Sequence, residues 1–171
     1  MKQAPLQLVD YWATSLRVDA LPEYERGSVV ELDFDGISVE HEVKPVESPD
    51  PDEDGTRWIV GLRVEQVPCG NPRQPYSFAV AMQGLLFAHP DLKGEKLHRA
   101  VAANGPAMLF GAAREVIRAA TGRGPYPAVV IPSTNFLESA KKAEALPAGS
   151  RTKKKATKSK RAAKKTSAAK K

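Results

Sequence analysis

Residues 104–136 read NGPAMLFGAAREVIRAATGRGPYPAVVIPSTNF, and the fold turns on how this stretch is divided. Asn104 and Gly105 suit a helix start, and Pro106 fits the first helical position, where its missing N–H is no loss. Gly122 and Gly124 can supply the left-handed geometry that stops a helix, and Pro125 and Pro127 prevent its resumption. The pattern therefore predicts a helix from Pro106 to about Thr121, followed by an apolar loop. At about 100° per residue, Leu109, Phe110, Ala113, Val116, Ile117 and Ala120 fall on one side, while Met108, Ala112 and Ala119 continue the apolar arc. Arg114, Glu115 and Arg118 take what remains. An arc roughly 200° wide exceeds what one sheet contact needs, and small residues on its second flank would admit another helix. The helix is expected to pack on its own sheet and on a second copy of the chain, with Met108, Leu109, Ala112, Val116 and Ala119 at that interface. The alternative is a monomer with a deeply buried helix.

Upstream, a short helix is expected around Glu95 to Ala103. Before Phe87 the period changes from 3.6 to 2. Four segments read as strands: PLQLVDYWATSLRVDAL, SVVELDFDGISVEHEV, TRWIVGLRVEQV and YSFAVAMQGLLF. In the second, Val30, Leu32 and Phe34 share one face and Glu31, Asp33 and Asp35 the other, as in a sheet wet on one side. The intervening LPEYERG, KPVESPDPDEDG and PCGNPRQP are rich in Pro, Gly and charge, as connections are. Strands followed by helices predict an α+β fold: a four-stranded antiparallel sheet with helices packed on one face.

Size and charge bound the function. The chain has 171 residues, 42% of them hydrophobic, enough for one ordinary core. Of its 26 Lys and Arg, eleven lie in residues 151–171 with no acid among them, which leaves 15 bases against 20 acids elsewhere. A mildly acidic domain over residues 1–147 thus carries a basic tail over residues 148–171. The tail's low-complexity Lys, Ala, Ser and Thr are too charged to collapse, and disorder is expected. Arg151, Lys153, Lys154, Lys155, Lys158, Lys160, Arg161, Lys164 and Lys165 form a candidate polyanion contact for DNA, RNA, the ribosome or anionic lipid, with solubility as the plainer role. Cys69 is the one cysteine, so an internal disulfide is excluded, and a cytoplasmic protein is expected. No run approaches the roughly 20 apolar residues that span a bilayer.

Chemistry-bearing motifs are weak. Asp50 to Gly55 copies the first half of a calcium loop, but Gly61 stands where the closing Glu belongs. His41, His89 and His98 share no metal-ligand spacing and are expected to face solvent. Cys69 lacks a His partner in sequence, and GRGPYP lacks the Lys and Ser/Thr of a phosphate loop. Neither an enzyme nor a cofactor is expected.

Residues 105–136 resemble the SecB-type export chaperones. Pro106, Leu109, Phe110, Ala113, Arg114, Glu115, Ile117, Arg123, Gly124, Pro127, Asn135 and Phe136 match that family's principal helix and following loop without a gap. Agreement continues through QGLLF, VGLRV and VELDFD, from about Leu6 to Ala145. The resemblance implies a sheet backed by two helices, a homotetramer built as a dimer of dimers, and unfolded polypeptides held in grooves without ATP. Leu21, Tyr24 and Val29 in the crossover segment, Tyr126 and Ile131 in the loop, and Phe136 and Leu137 opening the last helix are the candidate groove residues. Typical members dock the SecA motor through outer-sheet acids and a short C-terminal segment. Here Ser15 and Val80 stand where those acids would be, and the tail is basic. A dedicated client, such as an unstable antitoxin, is the alternative to export. A different alternative is a nucleic-acid-binding protein whose folded part only gathers the tails.

Overall fold

The computed structural model describes residues 4–48 and 54–137. Four strands come first, β1 (Leu6–Ala20), β2 (Ile37–Val46), β3 (Thr56–Gln66) and β4 (Tyr76–Ala88), followed by one helix, α1 (Gly94–Thr121). The sheet order is β1-β4-β3-β2 and every pairing is antiparallel. This is the expected α+β arrangement.

The central strands follow their period-2 pattern. Val60, Leu62 and Val64 of β3 and Phe78, Val80, Met82 and Leu86 of β4 are buried beneath α1, which contributes Leu97, Val101, Leu109, Phe110, Ala113 and Ile117. Burying a side chain of this size stabilises the fold by about 1.5–3 kcal/mol, so this contact is the main stabilising layer. The opposite face, with Ile59, Leu85 and Phe87 half-buried, has no covering element among the described residues.

Three local expectations change. First, Val30, Leu32 and Phe34 are not strand residues: Phe34 is 59% exposed, whereas Leu32 is half-buried against the core. The chain turns at Asp33, where Gly36 N–H bonds to the Asp33 carbonyl and Ile37 N–H to that of Phe34, so the ladder begins only at Ile37. Second, α1 runs without a break from Gly94 to Thr121, with Pro106 inside it. Pro106 removes one donor, and its neighbour Gly105 has a packing role. A Cβ at Gly105 would lie 2.8 Å from Leu86 Cδ1 and 2.9 Å from Val60 Cγ2, so the glycine is a close-approach point, not a cap. Third, the helix ends without a left-handed residue. Gly122 has φ −67°, and Gly124 is not among the glycines of positive φ. Gly124 answers a different need, since a Cβ there would meet Tyr76 Oη at 2.5 Å.

Strand β1 is long, edge-placed and irregular. Register shifts between Leu8 and Asp10 and between Ala13 and Ser15 leave Val9 and Thr14 as extra residues. Each bulge turns the side chains beyond it to the other face. After the first, Tyr11 pairs with Gly84; after the second, Leu16 pairs with Val80; both therefore lie on the helix side of the sheet.

Candidate functional site

Beyond α1 the chain reverses and runs back along the helix. Thr121 makes the pivot: its buried hydroxyl donates to the Ile117 carbonyl at 2.8 Å and accepts from Val129 N–H at 3.0 Å. Just before it, Tyr76 Oη donates to the Tyr126 carbonyl at 2.9 Å and accepts from Tyr126 N–H at 2.8 Å. Further on, Arg114 Nε donates to the Ile131 carbonyl at 2.8 Å and Nη1 to Ser133 Oγ at 3.2 Å. Phe136 ends the run between Phe110 of α1 at 5.8 Å and His41 of β2 at 5.4 Å. Because partners at 121, 114 and 110 take residues 129, 131 and 136 in turn, the segment lies antiparallel to α1, with His41 of β2 beside its far end.

The groove candidates fall into separate places. Tyr24 stacks on Tyr126 at 4.9 Å, and Tyr126 stands 5.7 Å from Tyr76, so three tyrosines lock the crossover segment to the end of the helix. Leu21 is half-buried, its N–H bonded to the Pro75 carbonyl. Arg26 lies over the Tyr126 ring at 5.7 Å. Tyr24, Ile131 and Phe136 are buried inside the chain, where their own neighbours occupy them, so they present no open wall. Val29, at 83% exposure, and Leu137, at 52%, stand in solvent. Any helix that Leu137 opens lies outside the described residues, as do Arg151 to Lys165 of the tail and all but Asp54 and Gly55 of the calcium-like run.

The interface candidates divide as well. Leu109 is fully buried over Gly84, whose hypothetical Cβ would lie 3.1 Å from Leu109 Cδ1, so it belongs to the core. Met108, Ala112 and Val116 are half-buried and Ala119 is exposed. They occupy the flank opposite Phe110 and Arg114; since that pair faces β2, this flank faces β1. On that strand the sequence pattern did not single out four residues that are all 40% exposed or more: Tyr11 and Leu16 on the helix side of the sheet, Val9 at a bulge, and Trp12, which pairs with Gln83, on the opposite face. The signal was present, as apolar residues at both parities in QLVDYWATSL cannot all face one core.

Electrostatics on the outer sheet are nearly self-neutralising. Asp19 pairs with Arg17 at 2.6 Å, Glu42 with Lys44 at 2.6 Å and Glu65 with Arg63 at 2.7 Å, each partner two residues away on the same strand. Val80 is buried under the helix, so an acid at that position would point into the core. Cys69 is exposed, and its thiol donates to Oε1 of the buried Gln74, whose amide braces the Val67 and Tyr76 carbonyls at 3.1 Å. His41 departs from the solvent-facing expectation: it packs on Phe136, and burial holds its pKa below 6.5. Among the described residues no helix is long and apolar enough to cross a membrane.

No family model matches the chain, and no curated protein does. Solved structures similar to it include the following two. One is the Rv1957 SecB-like chaperone of Mycobacterium tuberculosis in complex with a ChAD peptide from the Rv1956 HigA1 antitoxin, with 17% identity, 77% of this chain and 91% of that chain covered, and TM-score 0.42. The other is a protein of unknown function from Streptococcus agalactiae, with 11% identity, 74% and 96% coverage, and TM-score 0.48.

Proposed function

We propose that the protein is an ATP-independent holdase that keeps unfolded polypeptides from aggregating and works as a homo-oligomer, a tetramer in the arrangement the SecB resemblance implies. The observation that carries this reading is the amount of large apolar surface left open on a well-packed body. Val29, Phe34, Val67, Val130 and Leu137 are each more than half exposed on segments outside the sheet and α1. Exposed apolar residues support contact with other polypeptides where they join into a patch. The second open region, Val9, Tyr11 and Leu16 with the Met108, Ala112, Val116 and Ala119 flank, runs along an unpaired edge strand and suits a second copy of the chain.

The test is suppression of aggregation of several chemically unfolded, unrelated clients by the full chain without nucleotide. Stoichiometric protein should suppress light scattering, and ATP should change nothing. No suppression at excess over every client would refute the reading.

Client class is the second question. The self-paired carboxylates of the outer sheet and the buried Val80 offer no acidic platform for the SecA motor, which favours a dedicated client such as an unstable antitoxin over general export. Identification of the proteins that co-purify from the native cell separates these, with one recurrent partner supporting the dedicated client and a range of exported precursors supporting export. The tail residues Arg151 to Lys165 add a non-sequence-specific contact to nucleic acid or another polyanion.

A further inference from the structure

The segment 128–136 sits on the protein as a bound peptide would. Val129 and Ile131 are buried while Val130 between them is 58% exposed, the alternation of an extended chain laid on an apolar surface. Phe136 closes the run in the Phe110 and His41 pocket. Yet the segment belongs to no strand, and among the described residues no main-chain group of residues 125–136 bonds to another main-chain group. Its main chain is held by side chains of the body: the Thr121 hydroxyl takes one N–H and the Arg114 guanidinium gives to one carbonyl. Those two groups read a polypeptide backbone, not a particular sequence, and the flanking hollows read only apolar bulk. Any extended segment with alternating apolar residues can satisfy the same set.

We propose that residues 128–136 are an internal occupant of the client channel, and that an extended apolar stretch of unfolded polypeptide binds between α1 and β2 by displacing them. This rests on the holdase reading and names its site. It gives the burial of Ile131 and Phe136 within the chain a role. Displacement is within reach because segments with few main-chain bonds open locally far more readily than sheet or helix. The strength of the strap then sets client affinity directly, since every bound client must first release it.

The test uses the full chain and a permanently unfolded polypeptide with blocked cysteines as probe. Binding is followed by fluorescence anisotropy, and hydrogen exchange is measured in the same mixture. Amides of residues 128–136 should exchange about tenfold faster or more in the complex, while those of β3 and β4 stay unchanged. A second measurement uses Ile131→Val, which trims one methyl group from the strap and leaves the channel walls intact. Probe affinity should rise about fivefold, the usual effect of such a truncation passed to binding. Probe bound with the strap amides unchanged or slowed, or Ile131→Val leaving affinity the same or weaker, would overturn the proposal while the holdase reading stood. Failure of the probe to bind at all would remove both.

Discussion

Gly105 and Gly111 lie on the same helix, and replacing each by alanine should have opposite effects. In a helix interior Gly→Ala gains about 0.5–1 kcal/mol, because the unfolded chain has fewer conformations to lose. At Gly111 nothing lies within 4 Å of the new Cβ, so the whole gain should appear. At Gly105 the same methyl group lands 2.8 Å from Leu86 Cδ1 and 2.9 Å from Val60 Cγ2. Leu86 can rotate a terminal methyl group away, but Val60 is β-branched, buried and fixed in the sheet. Overpacking of this kind costs about 1–3 kcal/mol, which outweighs the propensity gain. The net expectation is about 1 kcal/mol of destabilisation for Gly105→Ala and a gap of about 2 kcal/mol between the two variants. Urea unfolding at one fixed protomer concentration, with unchanged m-values, reads this as a shift of midpoint. Were Gly105 an open helix-interior position without these contacts, the substitution would stabilise as at Gly111. Equal stabilisation by both variants would refute the close approach of helix to sheet.

Other parts of the molecule give expectations of their own. Ala112→Glu with Ala119→Glu places charges on the flank facing β1 and should reduce the assembled mass; an unchanged mass by light scattering, or a monomeric wild type, would exclude that flank. Tyr76→Phe removes the hydroxyl that bonds both main-chain groups of Tyr126 and should cost about 2 kcal/mol, a fall of roughly 4–8 °C in Tm for a chain of this size; a shift below about 1 °C would show that the contact contributes nothing. His41, its pKa held below 6.5 by burial, binds a proton more readily unfolded than folded. Its contribution is therefore present above pH 6.5 and lost as pH falls through the lower folded value, and His41→Leu should flatten the stability profile there; an identical profile in the variant would exclude it. Deleting residues 151–171 should abolish salt-sensitive retardation of two unrelated DNA duplexes while client holding survives; retardation that persists would place nucleic-acid contact in the folded domain.

The layer structure was legible because β3, β4 and the far half of α1 obey simple periods. Where the pattern misled, the cause was tertiary. Asn104, Gly105 and Pro106 have every local mark of a helix start, and only the proximity of Leu86 and Val60 shows why the glycine is there. Val30, Leu32 and Phe34 alternate as a strand does, but the turn at Asp33 keeps them from the ladder. The bulges of β1 reset its period twice, so no single alternation could show which of its apolar residues stay open. Of the candidate groove residues, Tyr126, Ile131 and Phe136 stand out in the sequence only as apolar residues of the segment after α1. That Ile131 and Phe136 are internal partners depends on Arg114 and His41, which only the fold brings to them.

The pairing of β1 with β4 also has a consequence for how the protein is made. Leu6 to Ala20 leave the ribosome before their hydrogen-bond partners at Tyr76 to Ala88, which come about 70 residues later. At roughly 5–20 residues per second, that is a wait of several seconds. During it the segment that keeps Tyr11, Trp12 and Leu16 exposed even after folding has neither a neighbouring strand nor a helix above it. Closing so long a loop is slow, and topologies dominated by distant pairings fold accordingly. The chain thus spends that interval with an apolar edge unsheltered, and its yield in the cell should be set by what happens to that edge before β4 arrives.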